Sequence, residues 1–348
     1  MSLGLAKAQH DSIDGVAEPA ENALLVGHGR ARADVASAFA AGRLPHALLL
    51  AGPVGVGKAT FAFHLARHVL SAEAAKPADG LLATDPRSHL FRAVAQGAHP
   101  GVLHLTRPEN ERAKGFKTVI TVDEIRRVGR FLSLSAHDGG YRIVIVDPAD
   151  DLNASAANAL LKNLEEPPAR TLFMLVTHVP GRLMPTIRSR CQIVRFDPLA
   201  DAEVIEAMAA MRPALPDEPD ARMELARRAG GSVRNAILMT EYGGLEIAAA
   251  IDTVLAGRPF DLGLAYRLAD AVTGREQQVQ FGIFNDHLLQ VLAASSVESV
   301  ENGAGMSARR AEAWSRLRED VVTLDTYNLD KRHHVVTALR RAHEALHR

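Results

Sequence analysis

The sequence predicts an α/β fold: a parallel sheet covered by helices, entered through a phosphate-binding loop and followed by all-helical segments. Three observations predict it. Short apolar runs alternate with helical periodicity over residues 23–198, the pattern of βα units whose strands are buried on both faces. Gly52-Pro53-Val54-Gly55-Val56-Gly57-Lys58 fits G-x-x-x-x-G-K between an apolar run and a helix, the setting that motif requires. After Pro198 only helical patterning remains, with breaks at Pro213 to Pro219, Gly230-Gly231, Gly257 to Pro259 and Asn302 to Gly305. These breaks predict one small helical domain at 199–255 and a second at 256–348.

Each element has its own reason. Residues 1–22 are polar and patternless, and are expected to form a flexible tail. Arg30 to Ala41 has helical periodicity, and Ala47 to Ala51 is a short apolar run between Pro45 and Gly52, which reads as a buried strand. Helical periodicity resumes from Thr60 to Leu70. Residues 71–98 read as irregular, because Pro77, Gly80 and Pro86 break any long element. Val102 to Leu105 predicts the next strand, and Thr121 with Glu124 makes a capping box that opens a helix over Val122 to Leu134. Tyr141 to Asp147 is a buried strand, and Ala154 to Glu166 is a helix stopped by Pro167-Pro168. Thr171 to Thr177 and Gln192 to Phe196 supply two further strands, with a helix over Leu183 to Arg190 between them.

Composition narrows the function classes. A formal net charge of -1 argues against recognition of nucleic acid by bulk electrostatics, so any such contact needs a local patch or partner subunits. The single cysteine, Cys191, leaves no internal disulfide and no cysteine-based zinc cluster, in keeping with a reducing, cytoplasmic setting. The N-terminal residues lack the apolar core of a secretory signal, and no apolar run approaches the roughly 20 residues of a spanning helix. No membrane association is expected.

The chemistry concentrates around the glycine-rich loop. Gly52, Gly55 and Gly57 let backbone N–H groups turn inward around phosphate oxygens, and the following helix aims its positive end at the same anion. Lys58 supplies a point charge to the β and γ phosphates. The usual next residue is Ser or Thr, whose hydroxyl binds Mg²⁺. Here it is Ala59, and Thr60 comes one residue later, turned by about 100° along the helix. The loop admits ATP or ADP, but its Mg²⁺ site lacks a usual ligand. Asp147 ends a strand, where it reads either as a metal-holding carboxylate or as a strand-end turn residue. Pro148 occupies the position where an ATPase of this kind keeps a glutamate base, while Asp150 and Asp151 read as caps for the helix near Ala154. His64 and His68 share a helix face at i, i+4 without a third ligand, and read as ordinary helix residues.

Leu44-Pro45-His46-Ala47 before the loop, Leu160 to Pro168, Leu175-Val176-Thr177 and Ser189-Arg190-Cys191 together resemble the small subunits of sliding-clamp loaders, P-loop ATPases of the AAA+ class. The resemblance is specific from Leu25 to Phe196, and further along it rests on architecture. It implies an AAA+ domain at 23–198, a helical lid at 199–255 and a collar domain at 256–348 that oligomerises. It makes Thr177 a polar sensor of the γ-phosphate and places Arg190 in trans at the ATP of a neighbouring subunit. Without the trans role, Arg190 reads as a surface arginine favoured by a helix C-terminus. Gly231-Ser232-Val233-Arg234 resembles the start of the lid helix whose arginine senses nucleotide. Arg234 then touches phosphate in cis, or Ser232 caps the helix and Arg234 is solvated.

The implied partners are the motor (gamma/tau) and delta subunits of the bacterial DNA polymerase III clamp loader, and through the assembly a sliding clamp and primed DNA. Many of these subunits carry a four-cysteine zinc module between the first helix and the next strand; residues 71–98 hold no cysteine, so no zinc is expected. Ala59 and Pro148 together favour a non-motor subunit with little or no ATPase of its own. Two alternatives stand beside it: an active motor ATPase of the loader or a related AAA+ enzyme, and a small-molecule kinase. The kinase leaves the Ser-Arg-Cys and Leu-Glu-Glu-Pro-Pro segments unexplained.

Overall fold

The computed structural model describes residues 4–71, 80–110, 115–133, 140–211, 215–274, 277–298, 304–327 and 329–347. Parts of the sequence-level breaks, at 213–214 and 302–303, lie outside the described residues, as does the last residue of the helix expected to end at Leu134. The chain forms two compact units, Met1–Arg234 and Asn235–Arg348.

The first unit is built on five strands among the described residues: β1 (Ala47–Ala51), β2 (Val102–Leu105), β3 (Arg142–Val146), β4 (Thr171–Thr177) and β5 (Gln192–Arg195). They lie in the order β2-β3-β4-β1-β5 and every pairing is parallel. Successive strand residues point to opposite faces, and the two cores follow that alternation. Leu48, Leu50, Ile143, Ile145, Leu172 and Met174 face one core with Phe61 and Leu65, whereas Ala47, Leu49, Val144, Val146, Phe173 and Leu175 face the other. The first face is covered by α1 (Gly29–Ala40), α2 (Lys58–Leu70) and α3 (His89–Ala95), the second by α4 (Val122–Ser133), α5 (Ala154–Glu165) and the short α6 (Pro185–Arg188). Both faces being covered explains why β1, β3 and β4 read as near-continuous apolar runs, while the edge strand β5 is largely exposed.

Three expectations are corrected here. α3 lies inside the stretch read as irregular: Ser88 caps it by accepting a hydrogen bond from Phe91 N, and Phe91 is fully buried. Seven residues are too few for helical periodicity to stand out. α6 is a single turn and ends at Arg188, so Ser189-Arg190-Cys191 follows it.

The third correction concerns the N-terminus, because residues 4–22 are not a loose tail. Arg67 on α2 is wholly buried and needs acceptors for its charge; it donates to Ala20 O at 2.9 Å and to Asn22 O at 3.1 Å. Its guanidinium also lies 4.5 Å from the Phe91 ring centre. Glu21, itself buried, accepts from the backbone N–H groups of Leu5 and Ala6.

The first unit continues through α7 (Asp201–Met211) and α8 (Pro219–Ala229), and the division between units falls within α9 (Val233–Glu241). The second unit holds α10 (Gly244–Ala256), α11 (Leu262–Val272), α12 (Gln278–Glu298), α13 (Ala304–Tyr327) and α14 (Lys331–His347). Boundaries at residues 198 and 255 do not coincide with this division. Leu199 N donates to Gly231 O at 3.0 Å, which ties the chain entering α7 to the end of α8, while α10 packs on α12 and α14. The last carbonyls of α10 and its following turn meet two imidazoles of α14: His347 at Leu255 O, 2.6 Å, and His343 at Gly257 O, 2.7 Å. Those contacts satisfy acceptors that a helix end leaves open. Among the described residues no helix is long and apolar enough to cross a membrane.

Candidate functional site

Parallel order decides where the chemistry gathers. The carboxyl ends of β1, β4 and β3 are neighbours along one edge of the sheet, with β4 in the middle. Ala51 pairs with Thr177 and Val146 with Leu175. The phosphate loop after β1, Thr177 at the end of β4 and Asp147 after β3 therefore meet on that edge, where α/β sheets bind ligands. Gly52 N donates to Thr177 O at 3.3 Å, which joins the loop to the middle strand.

The glycines of the loop serve two purposes. Gly55 and Gly57 have φ of +77° and +99°, conformations that side chains rarely adopt. A Cβ on Gly52 would fall 2.2 Å from Phe196 O, and one on Gly55 would fall 2.2 Å from Ser232 Oγ and 2.5 Å from Arg234 Cβ. Val233 N also donates to Gly55 O at 3.0 Å, so the start of α9 rests directly on the loop. Lys58, the first residue of α2, is buried, and its Nζ donates to Gly52 O at 2.8 Å and to Pro53 O. Burial pulls this ammonium down to about 8, against the opposing pull of Asp147 and Asp150. Ala59 and Thr60 occupy the next two positions of the first turn of α2.

Asp147 has the opposite shift. Burial, and then the nearby carboxylate of Asp11, push it up to about 7, while Lys58 pulls it back. Asp150 and Asp151 do not cap α5, since Asn153 accepts from Ala156 N at 2.8 Å and takes that position. A 3₁₀ turn over Ala149–Asp151 turns Asp150 toward the end of β4. There it accepts from Thr177 Oγ1 at 2.7 Å, from His178 N at 2.6 Å and from Val179 N at 3.3 Å. Asp151 pairs with Arg107 beyond β2. Asp150 was thus missed as the partner of Thr177; 27 residues separate them in the chain, and only the β3–β4 pairing brings them together.

The two arginines stand in different surroundings. Arg190 follows α6 and is about one-third exposed; its Nη2 lies 2.6 Å from Glu165 Oε1 at the end of α5, and its Nη1 donates to Thr186 O at 2.9 Å. Neither partner belongs to the phosphate-loop cluster. Arg234, by contrast, lies over Gly55 and donates through Nη1 to the backbone carbonyl of Asp11, with the Asp11 carboxylate 3.9 Å away. Sequence reasoning found the arginine but missed its partner. His64 and His68 are both turned to backbone: His64 Nε2 meets Asn22 O at 3.0 Å, and His68 Nδ1 accepts from Leu82 N at 3.1 Å.

The arrangement offers an anion-binding turn, one buried ammonium and a carboxylate of reduced acidity. It places neither a hydroxyl at position 59 nor a carboxylate base at position 148. These groups can meet an anion but do not supply a base for water.

Residues 27–200 match the family model described as DNA polymerase III, delta subunit, which amounts to half of the chain. Among curated proteins, DNA polymerase III subunit delta' of Pseudomonas aeruginosa is 39% identical over 188 residues, covering 54% of this chain and 53% of that protein. Subunit delta' of Escherichia coli is 37% identical over 164 residues, 45% of this chain and 44% of the relative. A DNA polymerase III subunit gamma/tau from Mycobacterium tuberculosis is 32% identical over 173 residues, 49% of this chain and 28% of the relative. The chain thus spans about half the length of the delta' relatives it matches.

Proposed function

The chain belongs to the DNA polymerase III delta-subunit family, and from that premise we propose that it serves as the delta prime, non-motor subunit of a clamp loader. In this role it holds its place beside gamma/tau and delta subunits, and presents Arg190 to ATP bound on a neighbour while the assembly loads a sliding clamp on primed DNA. The observation that carries the reading is the position of Arg190. It lies at an exposed chain segment, held by Glu165 and Thr186, outside its own phosphate-loop cluster. A planar guanidinium fixed in this way stabilises the charge that develops on a transferred γ-phosphoryl group. The chain's own loop complements this division of labour, because Ala59 and Pro148 replace the groups that would hold Mg²⁺ and activate water. Similarity to both delta' and gamma/tau chains supports an assembly built from related subunits.

The test is Arg190→Ala in the reconstituted loader. The variant should fold and assemble as wild type, and turnover at the one ATP site it faces should fall by about 10³-fold, the scale of a trans-acting arginine. Arg188→Ala is the control. Wild-type ATPase in the assembled Arg190→Ala complex would remove the trans role. The isolated chain is expected to show almost no DNA-stimulated ATP hydrolysis.

A further inference from the structure

The residues preceding α1 do more than pack on the sheet. They form a strap fixed at both ends, with its middle at the phosphate loop. One end is held where Glu21 gathers the backbone of Leu5 and Ala6, and the other where Arg67 takes the carbonyls of Ala20 and Asn22. Between these anchors the chain makes a compact turn. Gln9 N donates to Ser12 Oγ at 2.6 Å, the Ser12 hydroxyl donates to Glu18, Val16 N donates to Ile13 O at 3.0 Å, and Ile13 is buried.

That turn projects Asp11 at Arg234. Arg234 Nη1 binds the Asp11 carbonyl, with the Asp11 carboxylate 3.9 Å from the same nitrogen. Arg234 in turn touches the point where a Gly55 side chain would begin, so Asp11 stands one side chain away from the loop. The Asp11 charge also acts on Asp147 and His178, the groups after β3 and β4. Its neighbour His10 is within electrostatic reach of Arg107, Asp151 and Arg234. The turn therefore faces all three chain segments that build the site.

We infer that residues 9–13 are a built-in plug of the phosphate loop, with Asp11 meeting Arg234 in place of a nucleotide phosphate. A nucleoside di- or triphosphate enters when the strap leaves. Arg234 attracts Asp11, whereas Glu18, and Asp147 once it ionises, repel it, a balance of charges that permits release. The plug is independent of the trans role of Arg190 and depends only on the loop being a phosphate site.

The experiment is equilibrium titration of the full chain with a fluorescent N-methylanthraniloyl ATP analogue, alongside hydrogen exchange of residues 5–16. Asp11→Ala with Ile13→Asp removes both the carboxylate and the buried anchor. This double variant should exchange freely over residues 5–16, keep wild-type circular dichroism and bind the analogue at least tenfold more tightly than wild type. Adding Lys58→Ala should abolish the gain. In the wild-type chain, saturating analogue should speed exchange at residues 9–13. Equal affinity in wild type and a double variant whose strap is free overturns the plug while leaving the phosphate site intact. A strap that stays protected in the double variant, or residues 9–13 that stay protected under bound analogue, overturns it as well. Absence of binding in every form shows that the loop is no nucleotide site, and the plug falls with it.

Discussion

Replacing Asp147 with asparagine should stabilise the first unit by roughly 2 kcal/mol at pH 7.5, and by less than half as much at pH 4.5. The magnitude comes from the position of the carboxyl. Burial and Asp11 raise it from 3.8 to about 7, and at about 1.4 kcal/mol per pH unit this bounds the penalty near 4 kcal/mol. The sign follows from proton binding in the two states. Below pH 4 the native and unfolded chains both hold the proton, so the penalty is absent. As pH rises from 4 to 7 the unfolded chain ionises while the native one retains its proton, and stability is lost across that window; above 7 the loss is complete. The attraction of Lys58 already lies within that figure, and relaxation around the ionised carboxylate sets the expectation at about half the bound. Urea denaturation followed by far-UV circular dichroism measures the difference. The fluorescence of Trp314, the chain's single tryptophan, lies on α13 and marks unfolding of the second unit separately. The same comparison in a Lys58→Met background should show a larger difference. A gain that is equal at both pH values, or an asparagine variant less stable at pH 7.5, would refute the reasoning.

Asp150→Ala should cost roughly 3 kcal/mol, because the Thr177 hydroxyl and the N–H groups of His178 and Val179 lose their common acceptor. A thermal melt of the first unit should fall by roughly 6–10 °C, and Asp150→Asn, which keeps an acceptor oxygen, should fall by less. Arg67→Met should loosen residues 4–22 before it affects the sheet, with a cost of about 2 kcal/mol, because the Ala20 carbonyl loses its donor and Asn22 O keeps only His64. Hydrogen exchange that quickens at Leu5 and Ala6 while β4 stays protected is the expected pattern; uniform quickening would deny Arg67 its anchoring role.

What could be read from the sequence, and what could not, divides by the range of the interaction. The central strands β1, β3 and β4 were legible, because a strand buried on both faces is apolar at nearly every position, and the edge strands β2 and β5 were legible as short runs between helical segments. The phosphate loop was legible because its conformation demands glycine at fixed spacing. Two local assignments failed for want of context: Asn153 outcompeted Asp150 and Asp151 as the cap of α5, and α3 was too short to show its period. The strap was misread because polarity and absence of pattern are what a free tail also shows; the buried charge of Arg67, which needs its carbonyls, leaves no mark in residues 1–22.

The sequence by itself determined the fold class and the glycine loop, with Ala59 and Pro148 at the positions of a hydroxyl and a base, while Arg190 and Arg234 came forward only through the family resemblance. All of these are properties of contiguous residues, whose conformation and chemistry follow from neighbours in the chain. Tertiary structure alone decided the partners. Thr177 found Asp150 because β3 lies beside β4, Arg190 found Glu165 at the end of α5, and Arg234 found Asp11 from more than two hundred residues away. Those pairings arise from strand order and helix packing, which set distances in space that no spacing along the chain encodes.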